Sequence, residues 1–365
     1  MQTTQANHSD KQNQRKKIFS ALFIATVMVL ISFVYRNFFN APKPVSKNGF
    51  YFNTIISIQL NDSSDETLID DCFALADTYE HYFSRTLEGS DIYNINHANG
   101  KSVKVHPETA KLLQIGKEYS AWSDGAFDIT IGALVELWDI TNNDGFIPDE
   151  TAIQAALDTV DYRNIQIEGT TVTLKNPNTR IDLGGIAKGY AADAMKAYLN
   201  ENGVHEGFIN LGGNVLTLGE KSEQEPYHIG IRKPFSTDGE IITSVDVSDQ
   251  SVVTSGRYER YFEIDGMIYH HILNPKTGYP YENDLNGVTI LSTSSVTGDA
   301  LSTICFAYGL EKGMEFISSI PSTDISQLPT GICDSSNNTS EVPVINAIFV
   351  DRENQLHDSR DTDLQ

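Results

Sequence analysis

Apolar positions along this chain follow two periods, and the switches between them mark out its elements. In "YFNTIISIQL" and "QIEGTTVTLKN" apolar and polar residues alternate, which is the signature of half-buried strands, with Gly169 at a hairpin turn in the second. Between Thr67 and Phe83 the period lengthens and places Leu68, Cys72, Leu75, Ala76 and Tyr79 on one face of a helix. Pro107 and Glu108 open a second helix over His106–Trp122, and "SDGAFDITIGALVELW" reads as a Gly-punctuated loop entering an apolar element. The segment "TRIDLGGIAKGYAADAMKAYLNENGVHEGFINLGGNVLTLG" predicts strand, Gly loop, helix, strand, Gly turn and strand. Its helix carries Ala191, Met195 and Leu199 in one stripe and stops at Asn202-Gly203. Strands return at "PYHIGIRKP", "IITSVDVSD", "SVVTSGRYERYFEIDGMIYHHIL" and "NGVTILST", with "IDGM" as a turn. A helical region follows in "TGDALSTICFAYGLEKGMEFI". Ser322 to Val342, rich in Ser, Asn and Thr, reads as an insertion before a closing hairpin "VINAIFVDRENQLHDS". No internal repeat is present.

One apolar run has neither period. From Ile18 to Tyr35 "IFSALFIATVMVLISFVY" holds no charged residue and is just long enough to span a hydrocarbon core. Lys11, Arg15, Lys16 and Lys17 precede it and only Arg36 follows closely, a bias that keeps the N-terminus cytoplasmic and sends the remainder outside. A cleaved signal peptide and a buried core helix are the alternatives. The bulky "YRNFFNAPKP" offers no small-x-small cleavage site, and the charged flank argues against a core helix. The sequence therefore divides into a cytoplasmic tail at 1–17, a membrane anchor at 18–35, a linker at 36–49, a globular domain at 50–358 and a tail at 359–365. That arrangement predicts a single-pass membrane protein with an extracytoplasmic domain.

Composition narrows the function. At 40% hydrophobic and 21% charged, 365 residues suffice for a buried core. Acidic residues outnumber basic ones 49 to 26, for a net charge of -23, which disfavours nucleic acid as a partner. Cys72, Cys305 and Cys333 have no CxxC spacing, so neither a zinc site nor a disulfide framework is indicated, and Cys305 reads as a small core residue.

Three constellations carry chemistry. Asp182-Leu183-Gly184-Gly185-Ile186-Ala187-Lys188-Gly189 places glycines and a lysine where a strand ends and a helix opens. Backbone amides, the helix terminus and an ammonium there suit a phosphate, although a tight structural turn would use the same glycines. Asp299 and Thr303 stand four apart, on one helical face, and can offer two oxygens to a hard cation such as Mg2+. An Asp favoured by the helix dipole beside a packed Thr is the simpler reading. In "YHHILNPKTGYP" strand alternation sends His270 and His271 to opposite faces, so one of them can enter a cleft as a neutral base while a surface pair would merely be solvated.

Taken in order, "GAFDITIGALVELW", "IDLGGIAKGYAADA", "FINLGGNV", "TSGRYERYFEIDG", "HHILNPKTGYP" and "DALST" closely resemble the FAD:protein FMN transferase family, the ApbE type, from about residue 50 to 358. The resemblance implies a mixed α+β, T-fold-like architecture in two closely packed lobes. It implies Mg2+-dependent transfer of FMN from FAD to a Ser or Thr of an acceptor flavoprotein through a phosphoester, with release of AMP. FAD pyrophosphatase activity, or a non-catalytic flavin-binding surface protein, is the alternative. Carried residue by residue, Ala126, Phe127, Asp128, Asp182 and Lys188 would line the FAD site with Ile272 and Leu273. The Gly185 carbonyl, Asp299 and Thr303 would hold Mg2+, and His271 would be the base. Two departures stand out: Phe52-Asn53-Thr54 where the family commonly has Met-Gly-Thr, and Arg85-Thr86 where an aromatic often follows "FS". Tyr258 and Phe127 remain as candidates to stack on the flavin.

Overall fold

The computed structural model describes residues 20, 22–29, 31, 43–143, 145–221, 225–320 and 345–360. The elements in chain order are β1 (Val45–Tyr51), β2 (Thr54–Leu60), α1 (Glu66–Phe83), α2 (Asp91–His97), β3 (Val103–Lys104), α3 (Pro107–Trp122), α4 (Gly132–Trp138), α5 (Glu150–Leu157), β4 (Ile165–Glu168) and β5 (Thr171–Leu174). They continue with α6 (Ala187–Glu201), β6 (Gly207–Leu211), β7 (Asn214–Leu218), β8 (Tyr227–Arg232), β9 (Ile241–Val247), β10 (Ser251–Gly256), β11 (Tyr261–Ile264) and β12 (Met267–His270). The last are β13 (Leu285–Ser292), α7 (Ser295–Tyr308), α8 (Leu310–Ser319), β14 (Asn346–Asp351) and β15 (Leu356–Asp358).

The frame is an eight-stranded sheet in the order β1-β2-β6-β7-β10-β13-β14-β15, every pair antiparallel. Three-stranded β3-β5-β4 and the two-stranded pairs β8-β9 and β11-β12 stand apart from it. The fold is thus of the mixed α+β class that the resemblance implies. Among the described residues three apolar cores serve the sheet; the smallest seats β8 and β9 on β10, β13 and β14 through Val245, Val252 and Ile348, and two larger ones hold the rest. One packs α1 and α6 on β2, β6 and β7 through Ile69, Cys72, Ala76, Ala191, Met195 and Leu199, all 0% exposed; the α6 stripe is as expected, while on α1 the buried line shifts to Ile69, Cys72 and Ala76, with Leu68 and Tyr79 half-buried at its edge and Leu75 outside the core. The other runs from β13, β14 and α7 through Leu183 and Ile186 to α3 and the small β3-β5-β4 sheet, so both halves share one continuous interior. Cys305 is fully buried within it, as its apolar surroundings suggest.

Three boundaries differ from those expected. Strand β1 opens at Val45, inside the segment read as a linker, because 45–51 pairs residue for residue with 54–60. The apparent single strand after Phe50 is the tip of that hairpin. Phe52 and Asn53 both have positive φ, 52° and 55°, the two-residue turn whose twist matches paired strands, and the Phe52 N–H donates to Glu80 Oε1. The last helical stretch is two helices, broken at Gly309, whose φ of 76° ends α7. At the N-terminus residues 22–29 are helical, and among the described residues no helix is long and apolar enough to cross a membrane. Residues 1–17, read as a cytoplasmic tail, residues 36–42 of the linker, the Ser322–Val342 insertion and 361–365 lie outside the described residues, as does much of the anchor segment.

Candidate active site

The Gly loop is set by its neighbours before any ligand is considered. Asn96 clamps Ile181 from both sides, its Nδ2 donating to the Ile181 carbonyl and its Oδ1 accepting the Ile181 N–H at 2.7 Å, and the Asp182 N–H donates to the Ile129 carbonyl. The chain then turns through Gly184 and Gly185 into α6. Gly185 permits close approach: a Cβ would sit 2.8 Å from the Phe127 ring. Asp182 Oδ1 accepts the Gly184 N–H, and Oδ2 takes Arg85 Nε at 2.8 Å. At the loop–helix junction the amides of Ile186 and Ala187 bond the Leu183 carbonyl, and that of Gly189 bonds Asp299. With those amides engaged, the cation of this corner is the Lys188 ammonium.

Helix α7 lies across α6 and brings Asp299 and Thr303 to the same corner. A Cβ added at Gly185 would be 3.8 Å from Thr303 Oγ1, so loop backbone and hydroxyl face each other. Asp299 is buried, with Oδ2 on the Gly189 N–H and Oδ1 3.5 Å from Lys188 Nζ. Ser255 Oγ links Ser302 and Thr303.

The wall opposite comes from the segment after β12. His270 is 2% exposed and turns away, its Nε2 at 2.8 Å from the Tyr281 carbonyl, while His271 turns into the cleft. The expected divergence of the two rings is observed. His271 Nδ1 lies 3.4 Å from the Arg260 carbonyl, so the proton belongs on Nδ1 and the Nε2 lone pair is left available. Enclosure of the ring by the cavity wall, reinforced by His270, Arg260 and Lys188, lowers its pKa to about 3. It is neutral at pH 7.

These parts enclose one cavity of about 730 Å³, within the range of small-molecule sites. Of the residues proposed from sequence all but Tyr258 line it: Ala126, Phe127 and Asp128 from the loop before α4, Asp182 and Gly185 from the Gly loop, Lys188 at the start of α6, His271, Ile272 and Leu273 after β12, and Asp299 and Thr303 on α7. Not all are equally available. Asp128 is buried and accepts from Thr130 N, Thr130 Oγ1 and Tyr162 N, and burial, which outweighs those bonds, raises its pKa. Its carboxylate holds the wall together. Of the two stacking candidates Phe127 lines the cavity, and Tyr258 is buried outside it against Arg232. The structure adds Arg85, Glu259 and Arg260 to the lining. Glu259 has its pKa raised by burial, against the pull of Arg232, Lys188 and Arg260. The "RYER" run that holds Glu259 and Arg260 lies within one of the motifs, but a motif does not give side-chain direction.

Gly185, Asp299 and Thr303 line the same corner of the cavity, and a carbonyl, a carboxylate and a hydroxyl are oxygen types that a hard cation takes. Among the described residues no group of three or more His, Cys, Asp or Glu is placed to hold a metal ion. With one carboxylate, such a set leaves coordination positions for water or for the oxygens of a phosphorylated ligand.

The cleft brings together a Gly loop, an ammonium, oxygen donors and a neutral imidazole, groups that suit an enzyme acting on a phosphorylated ligand. The chain belongs to the ApbE family, whose model matches residues 52–325. It is 43% identical to a Klebsiella pneumoniae protein named FAD:protein FMN transferase over 69% of this chain and 78% of that one. It is 34% identical to a protein of the same name from Treponema pallidum, over 70% of this chain and 75% of that one. Among solved structures, the ApbE protein of Thermotoga maritima superposes with a TM-score of 0.73 at 29% identity, covering 87% of this chain and 97% of that one.

Proposed function

We propose that this chain is an FAD:protein FMN transferase that uses Mg2+ to move FMN from FAD to a Ser or Thr hydroxyl of an acceptor flavoprotein. The observation that carries the reading is the meeting in one cavity of the Lys188 corner, the Asp299–Thr303 oxygens and the His271 imidazole. Bound Mg2+ would supply Lewis-acid charge at the FAD pyrophosphate, held by the Gly185 carbonyl, Asp299 and Thr303. Lys188 places a further positive charge where negative charge grows on the phosphoryl oxygens, and positioning with electrostatics supplies most of the acceleration in such transfers. His271 Nε2 accepts the proton of the acceptor hydroxyl as its oxygen bonds to the FMN-side phosphorus. The bond to the bridging oxygen breaks, and AMP leaves with that oxygen.

The test is incubation of the full chain with FAD, Mg2+ and a candidate acceptor flavoprotein. A covalently flavinylated, fluorescent acceptor together with AMP is the expected result. FMN and AMP without modified acceptor would make the chain a pyrophosphatase, and retained FAD without AMP would make it a binder. We also read 18–35 as an uncleaved anchor that keeps the domain outside the cytoplasm, on its charge-free length and basic N-terminal flank. Release from membranes by high salt, or a native N-terminus beyond Tyr35, would refute that.

A further inference from the structure

Asp299 is a carboxylate with one committed oxygen and one contested oxygen. Oδ2 is fixed by the Gly189 N–H at 3.0 Å, so a cation drawn to this side chain must approach Oδ1. Lys188 already stands there, with Nζ 3.5 Å from Oδ1 and 3.1 Å from the Gly184 carbonyl. Both contacts on Asp299 come from consecutive residues of one helical turn, and the carboxylate is only 6% exposed. A carboxylate so buried is stabilised by a nearby positive charge. Lysine meets that need with a compact ammonium on a flexible stem, a group that can be drawn off when a better anion arrives.

We infer that Lys188 is a tethered counter-cation that competes with Mg2+ for Asp299 and yields it when a nucleotide diphosphate enters the cavity. The inference rests on the metal assignment of the proposed function. The diphosphate attracts the ammonium, Asp299 Oδ1 is released, and the metal then finds both its protein oxygens and the phosphate oxygens. Metal and nucleotide therefore bind with positive coupling, and linkage requires each to tighten the other by the same factor. The free enzyme stays poorly metallated, and the site assembles on substrate.

Calorimetric titration of the full chain with Mg2+ alone, and again with ADP present as a diphosphate that carries no flavin, tests this. Wild type should bind Mg2+ weakly without ADP and at least about tenfold more tightly with it. Lys188→Met should bind Mg2+ about tenfold more tightly than wild type without ADP and gain little from adding it, while Lys188→Arg stays near wild type. Lys188→Gln provides a second neutral variant should the Met protein fold poorly. Lys276→Met, which removes the same charge from an exposed pair with Asp124, should leave Mg2+ affinity unchanged. Equal or weaker Mg2+ binding in the neutral Lys188 variants, including no detectable binding in either protein, overturns the inference. If Lys188→Met binds Mg2+ tightly and still does so with Asp299→Asn added, the cation sits elsewhere, and the metal assignment falls with it.

Discussion

Asp299 on α7 accepts the Gly189 N–H of α6 at 3.0 Å, and the two helices return the exchange further along. Asp193 on α6 takes the N–H groups of Ser295 and Val296 and the Ser294 hydroxyl at 2.7–3.0 Å, closing the N-terminus of α7. One carboxylate from each helix caps backbone of the other, and the crossing angle that aims Asp299 at the cavity follows from those bonds.

Gly189 is the point where that crossing has no slack. A Cβ there would stand 2.6 Å from Val296 Cα and overlap the Ser295 carbonyl, both backbone of α7. Gly189→Ala should therefore destabilise the protein by about 1–3 kcal/mol, the usual cost of overpacking, despite alanine's better helix propensity. Denaturant unfolding measures it, and a midpoint equal to or above wild type would show that the helices can separate freely.

Asp299→Asn separates the two uses of that side chain. The amide oxygen can still accept the Gly189 N–H, so stability should change little, but it attracts a hard cation far less than a carboxylate does. Turnover should fall steeply, and the remaining activity should respond weakly to Mg2+. Wild-type rates and metal response would remove Asp299 from the site.

His270 gives the fold a pH dependence of definite sign. It is buried, donates through Nε2 to the Tyr281 carbonyl, and burial lowers its pKa to about 4 from an unfolded value near 6.5. The unfolded chain takes the proton first, so the contribution is present above about pH 6.5 and is lost as pH falls toward 4. Asp193, which burial raises to about 6, has the opposite sign, since the native state binds its proton first. The two oppose each other in wild type, but Asp193 cancels when wild type is compared with His270→Gln. The stability advantage of wild type over that variant should shrink by about 2 kcal/mol from pH 7 to pH 5. A pH-independent difference in unfolding midpoints would contradict it.

The readable parts of this molecule are those where one residue type and one spacing admit few structures. Gly169, Gly203 and Gly266 all stand at positive φ where turns are expected, and the Ala191–Met195–Leu199 stripe is fully buried. Motif order alone gathers the cavity lining. The hairpin at Phe52-Asn53 stays hidden because positive φ is normally supplied by Gly or Asn-Gly, and here a Phe adopts it with Glu80 holding its amide. The Arg85–Asp182 pair joins residues far apart in sequence, and the commitment of Asp128 to Thr130 and Tyr162 is a matter of side-chain direction. Periodicity carries neither kind of information.

His271 is the sharpest test of the chemistry. Its Nδ1 faces the Arg260 carbonyl, which leaves Nε2 as the other nitrogen of a ring that lines the cavity, and its pKa, lowered to about 3 by enclosure, keeps it neutral through the physiological range. An imidazole with so low a pKa is unprotonated at every working pH, though a weaker base than a free histidine, and should leave no limb near pH 6.5 in the kcat/KM profile of the free enzyme. His271→Ala should slow flavin transfer by roughly a hundredfold or more at saturating FAD while FAD affinity is largely kept. His270→Ala should act differently, because that ring packs edge-on to Phe306 and bonds a carbonyl: stability should drop, and the folded fraction should transfer flavin at near the wild-type rate. If His271 only contacts the flavin or its neighbouring backbone, the pattern reverses, with FAD affinity falling and the saturated rate intact. Transfer rates and FAD dissociation constants measured for both variants decide between the two, and an unchanged saturated rate in His271→Ala would take the imidazole out of the proton transfer.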